Sequence, residues 1–282
     1  MKKLVLLDFK GGFRVGRGDE SDSTLPTIHS DTIYGAIVYW AFKLYQQEAE
    51  AFARSLKTSS LFFKHLDNYA IPKPLIFDTL EVKDPKSLKK ADYVFLSKLS
   101  LKEPEQSVLE KQPTQLAKIA RNALDRNTNA ASLYFVEAVY IRPDFTPCII
   151  VECEDKYESM LVSCLKALGD SGIGGDSTYG FGLFDFQIID LPNEFRRKGS
   201  LYTSLSLCIP NIDEIPRLNE GYYKIITKRG YHKDYPMAKV DLHYLVEGST
   251  FPFEIQGRGA VKIEDYFVQT SPVTIAIGGD EP

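Results

Sequence analysis

No stretch of this 282-residue sequence is hydrophobic enough to cross a membrane, because a spanning helix needs about 20 apolar residues in a row. Near the N-terminus, the apolar run Leu4 to Leu7 is followed at once by Asp8, and Lys10 comes soon after. A secretory signal would need a longer apolar segment at this place. We therefore expect a cytoplasmic protein.

Cysteine pairs of the CxxC type are also missing. The four cysteines, Cys148, Cys153, Cys164 and Cys208, are widely spaced, and no histidine lies at ligand spacing from them. Since a structural zinc site needs several such ligands together, we expect no bound metal and no other cofactor. Cys164 falls on the apolar face of a predicted helix, so its expected role is core packing, and reduced thiols fit the cytosol.

A general excess of basic residues is missing as well. The 38 acidic residues outnumber the 34 Lys and Arg residues, which gives a formal net charge of −4, whereas nucleic-acid-binding proteins are often basic overall. The segment 224–239 departs from this average, with five Lys or Arg residues and one acid, Asp234. Two interpretations stay open: a local basic strip that binds RNA, or the solvated face of a strand.

The hydrophobic pattern predicts a mixed α+β protein. Residues 3–9 have the apolar run of a buried strand, and an apolar stripe of 3.6-residue period runs from Ile33 to Leu44. Ser30 or Asp31 is expected to cap the helix that carries this stripe. The Pro-rich and highly charged segment 72–113 is interpreted as an insertion rather than as core. Residues 133–141 resemble a strand.

The clearest helix prediction starts at Asp155, which has capping-box spacing to Glu158, and ends at Gly169. A Gly-rich segment follows, and then a strand with alternating Phe184 and Phe186. Beyond residue 200 the pattern is rich in strands and contains no strong helix. The strands expected there are 201–209, 221–227, 240–246 and 257–263.

This order of elements predicts a ferredoxin-like (RRM-like) N-terminal domain over residues 1–192, with helices on one face of its sheet. We expect an insertion at about 72–130 and a Gly-rich loop at 172–182 within this domain. A second, smaller, strand-rich ferredoxin-like domain is expected over residues 200–282, although no sequence repeat relates the two.

The segment 172–182 reads G-I-G-G-D-S-T-Y-G-F-G, which places five glycines between a predicted helix and a predicted strand. Glycine tolerates positive φ and lets a ligand approach the main chain closely, and consecutive N–H groups in such a loop suit phosphate. A P-loop or a dinucleotide fingerprint would follow a strand instead, so neither motif fits. The alternative is a tight turn, which would need only one or two glycines.

Further motifs accompany this loop in a fixed order along the chain. They are F-R-V-G at 13–16, I-H-S-D-T-I-Y-G-A-I at 28–37, Arg121 with D-R-N-T at 125–128, L-Y-F at 133–135, K-R-G-Y at 228–231 and E-G-S at 247–249. Together with the Gly-rich loop, they resemble the RAMP (repeat-associated mysterious protein) superfamily of CRISPR systems. Within it, the motifs are similar to the family of fourth subunits of type III-A Csm effector complexes.

This resemblance implies a non-catalytic subunit that holds the 5′ tag of the CRISPR guide RNA. Its partners would be the large polymerase-like Csm subunit and a backbone RAMP subunit. The insertion at 72–113 would supply the thumb with which the family displaces a nucleotide. The residues expected to contact RNA are Arg14, His29, Ser30, Arg126, Gly174, Gly175, Ser177, Thr178, Tyr179, Gly180, Gly182, Lys228 and Arg229.

The side-chain types fit the recognition of unpaired RNA. Arginine and lysine neutralise phosphates, while Tyr179 and Tyr231 offer rings on which bases stack. Phe181 begins a predicted strand and is better explained by core packing. Arg126 has an equal alternative, which is pairing with the adjacent Asp125 or a nearby carbonyl.

Two catalytic functions are alternatives to a role in RNA binding alone. The first is an endoribonuclease that processes CRISPR repeat RNA with His29 as general acid or base, although the sequence shows no evident partner for that histidine. The second is metal-dependent cleavage by Asp22 or Asp31, but Asp31 is better explained as a helix-start residue and Asp22 as part of a solvated loop. An unrelated α+β protein whose glycines only turn the chain is the remaining alternative.

Overall fold

The computed structural model describes residues 1–16, 23–82, 84–124, 131–230 and 238–279. Its α-helices within these ranges are α1 (Ser30–Tyr45), α2 (Ala49–Ser55), α3 (Pro85–Lys90) and α4 (Glu158–Ser171). The strands are β1 (Lys2–Phe9), β2 (Lys57–Thr58), β3 (Phe62–His65), β4 (Asn68–Pro72), β5 (Tyr93–Phe95), β6 (Thr114–Leu124), β7 (Ala131–Ile141), β8 (Phe145–Glu152), β9 (Phe184–Asp190), β10 (Leu201–Ser204), β11 (Ile225–Lys228), β12 (Leu242–Leu245), β13 (Thr250–Phe251), β14 (Ala260–Ile263), β15 (Tyr266–Gln269) and β16 (Thr274–Ile277).

The main sheet is antiparallel and has the order β5-β4-β3-β8-β1-β9, with β2 also paired to β8. Its central strand β1 was predicted from its apolar run. That run is apolar on consecutive positions because both faces of the sheet are covered. Val5 and Leu7 pack under α1, α2 and α4, whereas Leu4 belongs to a second core on the opposite face.

Helix α1 lies where the apolar stripe predicts it, and it buries Ile33, Ile37 and Ala41 against the sheet. Its predicted cap is wrong. The helix already begins at Ser30, its N-cap residue is His29, and the His29 side chain accepts no capping hydrogen bond. Asp31 lies within the first turn, where a negative charge favours the positive end of the helix.

Helix α4 also lies where predicted, but both of its predicted ends are wrong. A 3-10 turn, Asp155–Tyr157, precedes the helix, and the carboxylate of Asp155 binds the amino group of Met1 instead of capping. The helix continues past Gly169 to Ser171, and Gly172 ends it with a φ of +83°. Gly169 is needed for another reason, since a Cβ there would lie 2.3 Å from the carbonyl oxygen of Phe184.

The segment 72–113 belongs to the second core, so its interpretation as an irregular insertion outside the core is wrong. Strand β5 extends the main sheet. The segment also contributes buried apolar side chains to the second core: Phe77, Leu88, Val94, Leu96 and Leu99. The long antiparallel hairpin β6–β7 has the opposite character. Its outer half exposes large apolar side chains, including Leu124, Leu133 and Phe135.

The C-terminal region is rich in strands, as predicted, with observed strands shorter than the expected ranges. It contains the sheet β13-β10-β16 and the hairpins β11–β12 and β14–β15. The described residues after 200 include a 3-10 helix, Ile212–Glu220, but no α-helix. The proposed division into domains at 1–192 and 200–282 stays a prediction.

All four cysteines are free and buried, as core packing requires. Burial raises the pKa of the Cys148 thiol to about 12 and that of Cys153 to about 11. It raises the pKa of Cys164 to about 12 and also raises that of Cys208. In the parts of the chain that the structure describes, no helix combines the length and the apolar character that crossing a bilayer demands.

Candidate nucleic-acid interface

The Gly-rich loop connects the end of α4 to the start of β9, at the edge of the sheet where β1 ends. Its two ends are buried, at Gly172 and Gly182, but the crest between them faces solvent. The exposed crest residues are Gly174, Gly175, Thr178, Tyr179 and Gly180. The loop is therefore anchored in the protein and exposes its middle to solvent.

Three of its glycines are required by close packing. Gly172, Gly174 and Gly182 have positive φ, as Gly180 does, and other residues adopt this conformation at a cost. A Cβ at Gly174 would lie 2.2 Å from the carbonyl oxygen of Arg14, and one at Gly182 would lie 2.1 Å from that of Ile173. Hydrogen bonds hold the loop against residues 12–14: the Gly175 N–H donates to the Arg14 carbonyl at 2.8 Å, and the Gly182 N–H donates to the Gly12 carbonyl at 2.9 Å.

Gly175 differs from these three, because the fold does not require a glycine there. Its φ is not positive, and a Cβ would meet only the carbonyl oxygen of Arg14, at 3.9 Å. The residue is exposed at the crest. Neither the backbone conformation nor the packing requires a glycine at this exposed position. The missing side chain would, however, let a ligand approach the main chain closely.

Two arginines converge on the loop from different parts of the chain. Arg14 donates from Nε to the carbonyl oxygen of Glu137, at 2.6 Å, and its guanidinium pairs with Asp176. Arg121, on β6, lies 2.8 Å from the same carboxylate. Its guanidinium also covers the ring of Tyr179, with 4.4 Å to the centroid. The hairpin β6–β7 is thereby fastened to the Gly-rich loop.

The position of Arg14 follows from its neighbours in the loop after β1. Phe13 exchanges two hydrogen bonds with Val139 on β7, at 2.8 and 2.9 Å. Gly12 must be a glycine, because a Cβ there would lie 2.7 Å from the carbonyl oxygen of Val139. The loop therefore lies between the hairpin and the Gly-rich crest, and Arg14 is held 8% exposed between them.

A second cluster lies at the start of α1. His29 Nδ1 is 2.7 Å from Oε1 of Glu247, and the hydroxyl of Ser60 donates to the same oxygen. Burial alone would raise the pKa of Glu247. The charge of His29 and the hydrogen bonds from His29 and Ser60 outweigh burial and hold that pKa below its usual value. His29 thus has an acidic partner that the sequence did not reveal.

The turn after β12 places Glu247 in this position. Gly248 has a φ of +83°, and a Cβ there would lie 2.2 Å from the carbonyl oxygen of Lys73. The glycine of the E-G-S motif therefore allows the chain to pass close to residue 73. Ser249 closes the turn with a hydrogen bond from its N–H to the carbonyl of Val246, at 3.2 Å.

Ser30 is buried in the same cluster. Its N–H donates to Ser60 Oγ at 2.8 Å, and its own hydroxyl accepts from the N–H of Leu207 at 3.0 Å. The serine of the S-D-T motif therefore joins the start of α1 to the C-terminal region. Its contact with RNA stays a prediction, and its observed contacts are all within the protein.

The basic segment 224–239 is largely paired with acids where the structure describes it. Lys228 Nζ lies 3.3 Å from Asp31, and both side chains are mostly buried. Arg229 Nε lies 2.8 Å from the exposed carboxylate of Asp241. Burial lowers the pKa of Lys239, against the charges of Asp31 and Asp265. The described basic side chains therefore mainly form ion pairs, one of which connects β11 to α1, and they do not form an unpaired basic surface.

The two clusters share one end of the sheet. Ile28, just before His29, and Ile173, in the Gly-rich loop, line the same small apolar cavity. Ser177 and Thr178 lie in a 3-10 turn, Ser177–Tyr179, on the crest. The predicted residues Arg126, Asp22 and Tyr231 lie outside the described residues.

Three residues at the site were missing from the predicted contacts: Arg121, Asp176 and Glu247. Each carried a signal, since Arg121 and Glu247 belong to the motifs on which the family resemblance rests and Asp176 lies within the Gly-rich loop. In the described part of the chain, no three His, Cys, Asp or Glu side chains come together as a metal site would require.

Comparison with known proteins agrees with these motifs. The family model described as the RAMP superfamily matches residues 7–185, and the one described as the CRISPR Csm4 C-terminal domain matches residues 197–269. A protein of Thermococcus onnurineus (strain NA1) named "CRISPR system Cms protein Csm4" is 28% identical over 240 residues, covering 78% of this chain and 80% of that protein. A protein of the same name from Methanocaldococcus jannaschii is 26% identical over 302 aligned positions, covering 81% and 79%.

Solved structures share the fold. One chain of a Csm3–Csm4 subcomplex from a type III-A interference complex superposes with a TM-score of 0.69 and 20% identity, covering 98% of this chain and all of that one. A chain of a Csm1–Csm4 cassette with AMPPNP gives a TM-score of 0.67 and 19% identity, with both chains fully covered. With a family model over more than half of its length, this chain belongs to the RAMP superfamily and carries the C-terminal domain of the Csm4 proteins.

Proposed function

We propose that the protein is a non-catalytic subunit of a type III-A CRISPR effector complex and holds the 5′ tag of the guide RNA. The observation that carries this proposal is the exposed crest at Gly175, a glycine that the fold does not need, with the guanidinium cluster beside it. Unpaired RNA is bound through its backbone and by base stacking, and the crest offers bare main chain and the Tyr179 ring for these contacts.

In this proposal the contacts fall into two groups. Gly174, Gly175, Thr178 and Gly180 lie along the path of the sugar–phosphate chain, while Tyr179 stacks on a base, which is worth about 1–3 kcal/mol. The residues at the start of α1 lie below the crest and support it. There, the His29 side chain is 15% exposed, and Ser30 and Lys228 hold the surface in place.

The hairpin β6–β7 takes the role of the thumb in this proposal, in place of the segment 72–113, which is part of the core. Its exposed apolar side chains, such as Leu124 and Phe135, are suited to contact with an unstacked base or a neighbouring subunit. Further exposed apolar residues, Ile212 and Ile225, lie in the C-terminal region. Relatives have been solved together with Csm1 and with Csm3, and we assign the corresponding large and backbone subunits as partners here.

The strand order also supports the ferredoxin-like arrangement of the N-terminal domain. Strands β9-β1-β8-β3 lie side by side and antiparallel, with α1 and α4 against one face. A ferredoxin-like unit has two βαβ halves interleaved in this way. We propose this arrangement for residues 1–192, and a second strand-rich domain for residues 200–282.

Substitution of Gly175 tests the proposed function. Gly175→Glu is expected to weaken binding of a short labelled single-stranded RNA by about tenfold or more, equivalent to 1.4 kcal/mol, because a charged side chain then occupies the crest. Fluorescence anisotropy with the full chain measures this affinity. The control is Asn193→Asp, which adds the same charge beyond the far end of β9. Equal affinities for the wild type and Gly175→Glu would contradict the proposed interface.

A second candidate function is favoured by one observation, the 2.7 Å contact between His29 and the buried Glu247. A histidine oriented by a carboxylate is the arrangement of a general base, as an endoribonuclease acting on CRISPR repeat RNA would need. Incubating the protein with labelled repeat RNA, with and without divalent metal, separates the two functions. Cleavage that His29→Ala abolishes supports the endoribonuclease, and intact bound RNA supports the binding subunit.

A further inference from the structure

One carboxylate lies between two guanidinium groups at the base of the Gly-rich crest. Asp176 Oδ2 is 2.8 Å from Arg121 Nη1, and the same oxygen pairs with Arg14. The side chains of Arg14, Arg121 and Asp176 are only 9%, 15% and 22% exposed. Two positive charges and one negative charge therefore meet where little water solvates them.

A phosphodiester resembles the carboxylate that these arginines already hold. It carries one negative charge and two unesterified oxygens, and arginine binds carboxylate and phosphate through the same donor geometry. The Asp176 carboxylate is attached to the exposed loop rather than to the core, with a backbone φ of +58° next to Gly175. The carboxylate thus marks a position where a phosphate would find two guanidinium groups.

The ring of Tyr179 lies within reach of the same position. Arg121 contacts both the carboxylate and the ring, with 4.4 Å between its guanidinium carbon and the ring centroid. Tyr179 is nevertheless 70% exposed, so its ring keeps surface on which a base can stack. A phosphate at the carboxylate and a base on the ring would belong to a single nucleotide.

We propose that Asp176 is an internal stand-in for one RNA phosphate. In the free protein it holds Arg14 and Arg121 in place, and it leaves them when a nucleotide places its phosphate there and its base on Tyr179. This inference rests on the proposed RNA-binding function, and it assigns Arg121 as a further contact residue. The Asp176 carboxylate keeps the two buried arginines paired when no RNA is bound. Because it occupies the phosphate position, it also competes with the RNA.

The variant Asp176→Asn tests this role, because it keeps the shape and removes the charge. We expect it to bind a short fluorescein-labelled single-stranded RNA about three- to fivefold more tightly than the wild type, with a steeper dependence on salt concentration. The same variant is expected to have a lower Tm, because the two arginines lose their ionic partner. A purely structural role for Asp176 would lower stability and affinity together.

Asp190→Asn is the matched control, since it removes one exposed charge at the last residue of β9, opposite the loop. It should leave the affinity unchanged. If the wild type binds RNA and Gly175→Glu does not, but Asp176→Asn binds no better than wild type, the stand-in is wrong and the RNA-binding function remains. If the wild type itself shows no affinity for RNA, both proposals fail.

Discussion

Replacing Gly182 by alanine is expected to destabilise the protein by about 3 kcal/mol or more, although only one methyl group is added. The residue has a φ of +72°, and its new Cβ would lie 2.1 Å from the carbonyl oxygen of Ile173 and 2.8 Å from its nitrogen. Relief of this clash would break the 2.9 Å hydrogen bond from the Ile173 N–H to the Gly182 carbonyl. Urea denaturation at neutral pH, followed by circular dichroism, measures the change in the free energy of unfolding.

The control is the same substitution seven residues earlier in the loop. Gly175→Ala should change the free energy of unfolding by no more than about 0.5 kcal/mol, because its φ is ordinary and its Cβ meets only open space and one carbonyl at 3.9 Å. A similar loss of stability in both variants would mean that the loop is tightly packed throughout. The crest would then not be preformed for a ligand.

The second large effect is expected from Glu247→Gln, which removes the charge from a buried carboxylate. We expect a loss of about 3 kcal/mol at neutral pH, because His29 and Ser60 then lose the largely buried carboxylate that they contact. The pKa of Glu247 is lowered in the folded protein relative to its ordinary value of 4.5. The stabilisation it provides is therefore complete above pH 4.5 and is lost as pH falls through the lowered pKa.

Denaturation curves at neutral pH and at several acidic pH values test this expectation. The difference between wild type and Glu247→Gln should shrink as the pH falls below 4.5. Glu50→Gln serves as the control, because Glu50 pairs with Arg54 on the exposed surface, where water and salt screen the pair and its contribution to stability is small. A difference that stays constant across this pH range would show that Glu247 contributes through its shape and not through its charge.

The sequence predicted the elements whose signal is local. Strand β1 has a continuous apolar run, and α1 and α4 have stripes of helical period, so each could be placed without knowledge of its partners. The segment 72–113 could not be interpreted in this way. Its buried residues Phe77, Leu88 and Val94 lie in 3-10 turns, a short helix and a short strand, where neither period is sustained and prolines and lysines intervene.

The errors at helix ends and at the site have a different origin, which is contact over long sequence separations. Asp155 fails to cap α4 because its carboxylate binds the amino group of Met1, 154 residues away. His29 lacked a visible partner because Glu247 lies 218 residues later. Arg14 and Asp176 are 162 residues apart. Local spacing identified the Gly-rich loop and its position, whereas the charges around it depended on the folded chain.

Because all four cysteines are buried, we expect the native protein to react very slowly with thiol reagents. A dye that alkylates sulfur has to wait until Cys148 or Cys208 is uncovered, so the rate of its incorporation would time the opening of the protein. A single cysteine introduced in place of the exposed Asp170, two residues before the Gly-rich loop, would then take up a fluorophore selectively, with all natural thiols left in place. The crest can thus be given a reporter for the arrival of RNA without first engineering a cysteine-free protein.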